Sequence, residues 1–128
     1  MNGRKVVLDS NIIIYLSKGQ LNIEEIVERY DELCISIITY MEVMGFQFSD
    51  EEERQIIQKL LDHFTFIYIN ADIVERVISI RKEKKIKLPD AIILATAKVL
   101  NSDLLTRNVR DFQDIVEGVD IIDPFEHR

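Results

Sequence analysis

Four short apolar runs, separated by longer stretches with helical spacing of apolar residues, constrain the fold more than any other feature of this chain. The runs cover residues 5–8, 33–37, 64–68 and 104–105. Such short, continuously apolar runs are typical of parallel strands, which are buried on both faces. Neighbouring parallel strands need crossover connections, and the helical stretches can supply them. The pattern therefore predicts an α/β protein whose parallel sheet carries helices on both faces.

Capping signals mark the beginnings of several predicted helices. The candidate capping boxes are the pairs Asn22–Glu25 and Ser49–Glu52, the candidate N-cap of the next helix is Asn70, and the last long helix begins at Pro89. Helical spacing then predicts which side chains point inward. They are Ile23, Ile26, Val27 and Tyr30, then Ile56, Ile57, Leu60 and Leu61, and finally Ile73, Val74, Val77 and Ile78.

The predicted order is β-α-α-β-α-α-β-α-α-β, followed by a short turn and one more strand at residues 120–122. The 128 residues, 47% of them apolar, suit one hydrophobic core, and no Pro/Gly/Ser-rich linker divides them. We therefore expect a single domain over residues 1–128, an α/β/α sandwich with a parallel sheet of four to five strands.

Composition also limits where the protein can work. No apolar run approaches the roughly 18 to 20 residues of a membrane helix, and the N-terminus leads into a strand rather than a signal peptide. We expect a cytoplasmic protein without membrane contact. The one cysteine, Cys34, lies among apolar residues and is expected to pack in the core.

The charge is unevenly distributed along the chain. The net charge is −7, yet residues 76–110 contain nine basic and three acidic side chains. Two interpretations remain open for this segment. It is either a solvated helix face or a patch that faces phosphate groups on an otherwise acidic body.

Three carboxylates, Asp9, Glu42 and Asp90, occur singly in apolar surroundings. Burying an unpaired carboxylate is costly, so each needs a partner, a proton or a cation. In a parallel sheet they can converge on the crevice at the carboxyl ends of the strands, since Asp9 ends the first strand. Oxygen ligands without histidine or cysteine suit Mg²⁺ or Mn²⁺ rather than zinc. Each acid also has a structural explanation: Asp9 as a helix cap, Asp90 as a first-turn acid, and Glu42 as a solvent-facing side chain.

Four motifs in order complete the pattern. They are VLDSNI at residues 7–12, SIITYME at 36–42, LPDAIILA at 88–95 and LTRNVRDF at 105–112. Together they resemble the PIN-domain family, in particular the VapC-type ribonuclease toxins of prokaryotic type II toxin–antitoxin systems. The likeness spans nearly the whole chain. It implies a PIN-like α/β/α sandwich, an acidic pocket for Mg²⁺ or Mn²⁺, and metal-dependent hydrolysis of RNA phosphodiester bonds.

The resemblance assigns the catalytic and metal-binding roles. Asp9, Glu42 and Asp90 correspond to the three family carboxylates. The fourth metal position falls either to Asn108, which has turn-forming chemistry and matches the usual place after the threonine, or to Asp111, three residues later. The chemistry implied is in-line attack of water on the phosphodiester, assisted by one or two metal ions.

The resemblance also assigns supporting and binding roles. Asn11 and Thr106 correspond to polar residues that hold the carboxylates or the metal hydration shell. The basic segment then becomes an RNA-binding surface, with Lys87, Arg107 and Arg110 as candidate phosphate contacts. Beyond RNA, the resemblance implies a cognate antitoxin and a homodimer as partners.

Two other functions remain open at this stage. One is a haloacid-dehalogenase-like phosphohydrolase with Asp9 as the nucleophile, although such proteins have a second aspartate where this chain has Asn11. The other is a non-catalytic PIN-like module that binds RNA or protein.

Overall fold

This computed structural model describes residues 3–126, which form five parallel strands and seven helices. Their order is β1 (Lys5–Leu8), α1 (Ser10–Ser17), α2 (Ile23–Arg29), β2 (Glu32–Ser36), α3 (Ile37–Met44), α4 (Glu51–Leu61), β3 (Thr65–Ile67), α5 (Ala71–Glu83), α6 (Leu88–Leu100), β4 (Asp103–Leu105), α7 (Val109–Phe112) and β5 (Ile121–Ile122). The predicted order is confirmed, and the short turn before the last strand contains the four-residue helix α7.

The first strand lies in the middle of the sheet, whose order is β3-β2-β1-β4-β5. The chain adds β2 and β3 on one side of β1, then crosses over to add β4 and β5 on the other. All four pairings are parallel. A reversal of this kind opens a crevice at the carboxyl ends of the central strands.

Helices cover both faces of the sheet, as predicted. Alternate side chains of β1 enter different cores, with Val6 and Leu8 on one face and Val7 on the other. Buried residues of α1, α2 and α4 pack on the first face, and those of α5 and α6 pack on the second. The fold is therefore an α/β/α sandwich.

The buried face of α2, α4 and α5 is narrower than the helical spacing of their apolar residues predicts. Val27, Ile56, Val74 and Ile78 were predicted to be inward but are 43–54% exposed. Each helix packs against the rest of the protein along one narrow row of side chains. The apolar side chains in the next row therefore remain partly exposed to solvent. The prediction was wrong for these four residues.

The helix caps confirm part of the sequence analysis. Asn22 and Asn70 cap α2 and α5 through their side-chain oxygens. Ser49 does not cap α4. Asp50 lies one residue nearer the helix, and its carboxylate accepts a hydrogen bond from the backbone N–H of Glu53 instead. The Ser49 hydroxyl donates to the Glu53 side chain. The last long helix begins one residue before Pro89.

Helix α6 lies at the centre of the second core. Its residues from Ala91 to Ala97 are all buried, and it contacts β1, β2 and β4. The free Cys34 on β2 is buried in the same core, as predicted. No helix within residues 3–126 has the length and apolarity needed to cross a bilayer.

Two buried threonines give a direct test of the core. Thr39 Oγ1 has no hydrogen-bond partner, whereas Thr96 Oγ1 donates to the Ile92 carbonyl at 2.7 Å, and both residues are fully buried in helices. Thr39→Val should raise the free energy of unfolding by about 1 kcal/mol, because an unpaired hydroxyl is removed. Thr96→Val should lower it by a similar amount, because a hydrogen bond is lost. Urea unfolding of both variants measures the difference, and equal destabilisation would contradict the assignment of Thr39 as unpaired.

Candidate active site

The centre of the site is fixed by the pairing of β1 with β4. Leu8 lies in register with Leu105, and one residue later the Asp9 N–H donates to the Leu105 carbonyl at 2.9 Å. The next side chains therefore meet, and Thr106 Oγ1 donates to Asp9 Oδ2 at 2.7 Å. Asp9 is only 5% exposed. The sheet itself thus holds a buried carboxylate at the crevice.

Further donors fix the orientation of Asp9. The backbone N–H of Ser10 donates to Asp9 Oδ1 at 2.8 Å, and Asn11 Nδ2 lies 3.4 Å from Asp9 Oδ2. Asn11 Oδ1 accepts from the backbone N–H of Arg107, which ties α1 to the segment after β4. Asn11 and Thr106 both contact Asp9, in keeping with the supporting roles expected of them.

Glu42 reaches the site from α3, whose first turn is capped by Ser36 at the end of β2. Ser10 Oγ lies 3.3 Å from Glu42 Oε1 and donates to it. Ser10 therefore joins Glu42 to the Asp9 segment through its hydroxyl and its backbone. Sequence analysis assigned no role to Ser10, and its only signal was its place between Asp9 and Asn11.

Asp90 and Asp111 complete a group of four acids, which we call the acidic cluster: Asp9, Glu42, Asp90 and Asp111. Asp90 lies in the first turn of α6 and Asp111 in the exposed first turn of α7. The negative charge of Asp111 acts on both Asp9 and Asp90. The structure therefore brings together acids that are up to 102 positions apart in the chain.

Burial and mutual repulsion make the cluster costly to ionise. Burial raises the pKa of Asp9, against the hydrogen bonds from Thr106 and Ser10, and the charge of Asp111 raises it further. Glu42 is exposed by surface area, as the solvent-facing explanation expects, yet partial desolvation raises its pKa, with added repulsion from Asp9 and Asp90. The pKa of Asp90 is raised by burial and then by Asp9 and Asp111. Three acids are thus held in an environment that disfavours their charged forms.

Two shielded carboxylates outside the cluster, Asp103 and Asp123, have cationic partners. Asp103 accepts from Arg4 at 3.3 Å and from the Tyr30 hydroxyl at 2.6 Å. Asp123 pairs with Arg107 at 3.5 Å. By contrast, within residues 3–126 no lysine or arginine forms an ion pair with any member of the acidic cluster. Among the described residues, the acids of the site therefore lack the ion-pair partners that Asp103 and Asp123 have.

The fourth metal position was left open between Asn108 and Asp111. Asn108 is exposed, caps α7 without a side-chain hydrogen bond, and uses its backbone N–H to donate to Thr106 Oγ1. Asp111 is the residue whose charge acts on Asp9 and Asp90. Asp111 thus adds negative charge to the site, whereas Asn108 is neutral.

The three predicted phosphate contacts have different surroundings. Lys87, the N-cap residue of α6, is exposed, and its charge lowers the pKa of Asp90 against the larger effects of burial and repulsion. Arg110 is exposed on α7. The Arg107 guanidinium pairs with Asp123 and lies 4.1 Å from the centroid of the Phe125 ring, so it is already engaged within the protein.

The donors of the cluster suit a hard divalent cation. Oxygen ligands are what Mg²⁺ and Mn²⁺ prefer. Within the described residues, no three acidic, histidine or cysteine side chains form a ready-made metal cage. Mg²⁺ fits such an open site, because it keeps several waters and binds through one or two carboxylates. His63 is exposed, and His127 lies outside the described residues.

Comparisons with known proteins agree with this architecture. Residues 6–118 match the PIN domain family model. The chain is 33% identical over 125 residues to Ribonuclease VapC1 of Haemophilus influenzae, covering 87% of this chain and 92% of that protein. A toxin–antitoxin complex from Klebsiella pneumoniae matches with a TM-score of 0.76 and 38% identity, covering 93% and 97% of the two chains. VapBC2 of Rickettsia felis, bound to a DNA fragment from its promoter, has a TM-score of 0.79 at 19% identity, covering 92% and 97%, which supports the fold alone. The chain belongs to the PIN-domain family and is of its VapC type.

Proposed function

We propose that this protein is a Mg²⁺- or Mn²⁺-dependent endoribonuclease and the toxin of a toxin–antitoxin pair. One observation carries the proposal: Asp9, Glu42 and Asp90 repel one another at the carboxyl edge of the sheet, Asp111 adds charge beside Asp9 and Asp90, and none of the four has an ion-pair partner among the described residues. A divalent cation would relieve their repulsion, and RNA phosphate would supply further oxygen ligands. The ribonuclease relative supports RNA as the substrate.

Asp9, Glu42 and Asp90 are the proposed catalytic and metal-binding residues, with Asp111 in the fourth position ahead of Asn108. When bound, the metal supplies Lewis-acid neutralisation of the scissile phosphate and lowers the pKa of water. The chain's own groups hold the carboxylates in place. Thr106, Ser10 and Asn11 fix Asp9, and Ser10 also holds Glu42.

The cations around the cluster are proposed to bind the RNA backbone. Lys87 and Arg110 are exposed and can contact phosphate groups on either side of the acids. Arg107 uses its Nε to pair with Asp123, and its 40% exposed side chain leaves terminal N–H groups for phosphate. These contacts position the substrate without reading its sequence.

The partners proposed from the relatives are a cognate antitoxin and a second copy of this chain. The antitoxin is supported by the Klebsiella complex, which is a toxin bound to its antitoxin. We propose that the protein acts in the cytoplasm, as a ribonuclease toxin would. Phosphohydrolysis with Asp9 as nucleophile has less support, because both carboxylate oxygens of this buried residue already accept hydrogen bonds.

Cleavage of a mixed RNA pool tests the activity. The purified chain, free of co-purified antitoxin, should cleave RNA with Mg²⁺ or Mn²⁺ and not with chelator. Asp90→Asn should reduce the rate roughly 100-fold or more, because a carboxylate ligand is lost. Asp72→Asn is a matched control, since Asp72 is an exposed first-turn acid on α5, away from the cluster. Folded, metal-loaded protein that cleaves no RNA would instead favour a module that only binds.

Thermal unfolding tests the electrostatic part of the proposal separately. Without metal, Asp90→Asn should raise the melting temperature by about 2 °C, because a raised carboxylate pKa means that the charged form is disfavoured in the folded protein. Millimolar Mg²⁺ should then stabilise the native protein but not this variant.

Asp72→Asn should behave in the opposite way. It should lower the melting temperature slightly, through loss of a favourable interaction with the helix dipole, and keep the response to Mg²⁺. A Mg²⁺ response of equal size in Asp90→Asn would contradict a metal site at the cluster.

A further inference from the structure

The Arg107 side chain joins three parts of the chain beside the acidic cluster. Its guanidinium lies 4.1 Å from the centroid of the Phe125 ring and 5.7 Å from that of Tyr15. Its Nε pairs with Asp123 Oδ2 at 3.5 Å. We call these four residues the Arg107 cluster. Because Tyr15 belongs to α1 whereas Asp123 and Phe125 follow β5, one side chain connects the segment after β4 to both of these elements.

The partners of Arg107 also hold one another. The rings of Tyr15 and Phe125 meet edge to face, with centroids 5.0 Å apart and planes at 72°. Asp123 is only 7% exposed, and its Oδ1 accepts from the backbone N–H of Phe125 at 2.9 Å. A guanidinium can pair with a carboxylate and stack on a ring at the same time, because it is planar. Arg107 therefore lies in a site that is built to hold it.

The backbone at Arg107 is tied to the acidic cluster. The N–H of Arg107 donates to Asn11 Oδ1 at 3.3 Å, and Asn11 Nδ2 lies 3.4 Å from Asp9 Oδ2. The preceding residue, Thr106, donates its hydroxyl to Asp9 at 2.7 Å and its backbone N–H to the Ile122 carbonyl at 2.9 Å. The side chain of Arg107 is thus anchored away from the acids, while its backbone lies between two groups that contact Asp9.

A similar group of side chains lies at the opposite end of β4. Arg4 pairs with Asp103 at 3.3 Å and lies 4.9 Å from the centroid of the Tyr30 ring. Asp103 is the first residue of β4, whereas Thr106 follows the last. The Arg4 group therefore makes the same kinds of contact at the amino end of the sheet, away from the carboxyl ends where the acidic cluster lies.

We propose that Arg107 is a positioning residue of the nuclease site and that it acts through Asp123 and Phe125. This inference rests on the proposed function. By fixing residues 106–108, the Arg107 cluster keeps Thr106 and Asn11 on Asp9, so this carboxylate holds one orientation for catalysis. The role uses the Nε and the flat face of the guanidinium. It therefore differs from the phosphate contact that its terminal N–H groups are proposed to make.

Two substitutions separate positioning from phosphate contact. Asp123→Asn keeps the arginine but removes the negative charge that holds it. Arg107→Lys keeps a positive charge for phosphate but has no planar group to stack on Phe125. Each variant should lower kcat for RNA cleavage roughly 10-fold and change KM less than about twofold, because positioning is impaired while the cation stays.

Asp103→Asn is the matched control. It removes the carboxylate of the Arg4 group and so tests whether loss of any shielded ion pair lowers activity. We expect its kcat to stay within about twofold of the wild-type value, because the contact it loses lies far from the residues that position Asp9.

Amide hydrogen exchange in the metal-free protein gives a readout that does not depend on activity. The amides to follow are those of Arg107, which donates to Asn11, and Asn108, which donates to Thr106 Oγ1. Asp123→Asn should speed their exchange about 10-fold and leave the amides of α4 unchanged, because only the local segment is released.

Three outcomes would overturn the proposal. They are an unchanged kcat in Asp123→Asn, an equal loss of kcat in Asp103→Asn, and exchange that quickens equally in α4, which would indicate general destabilisation. The nuclease is judged separately. Wild-type protein that cleaves no RNA would refute the proposed function, and hydrogen exchange alone would then decide whether the Arg107 cluster fixes residues 106–108.

Discussion

Carboxylates that repel one another at the carboxyl edge of the sheet, without an ion-pair partner among the described residues, are the constraint on which the rest of this structure depends. The strand pairing that ends at Leu8 and Leu105 sets Asp9 beside Thr106 and cannot be relaxed without breaking the centre of the sheet. The core fixes Asp90 equally firmly, because α6 is buried from Ala91 onward. The fold thus stabilises, through packing, an arrangement that charge alone would disperse.

The shielded acids of the protein fall into two groups, those with a cationic partner and those without one. Asp103 and Asp123 have cationic partners, as buried or partly buried acids ordinarily do. Asp9, Glu42 and Asp90 have no ion-pair partner among the described residues, and the nearby charge of Lys87 only partly offsets the repulsion at Asp90. Carboxylates without ion-pair partners suit a ligand that brings positive charge, such as a divalent cation.

Much of the fold and of the site could be predicted from the sequence. Short apolar runs indicated the parallel sheet, and Asp9, Glu42 and Asp90 stood out as single acids in apolar segments. The exposure of Val74 and Ile78 could not be predicted, because helical spacing does not say how wide a stripe the sheet covers. Asp111 and Ser10 could not be chosen either, since electrostatic coupling and a hydroxyl contact depend on distances that only the folded chain fixes.

Diffraction from a crystal grown with Mn²⁺ would test the central claim most directly, through the anomalous signal of the metal. We expect an anomalous peak about 2.1 Å from carboxylate oxygens of Asp9 and Asp90, next to Glu42 and Asp111. The protein carries a second run of acids, in the first turn of α4, which serves as an internal comparison. A peak there alone, or no peak at saturating Mn²⁺, would contradict a metal site at the acidic cluster.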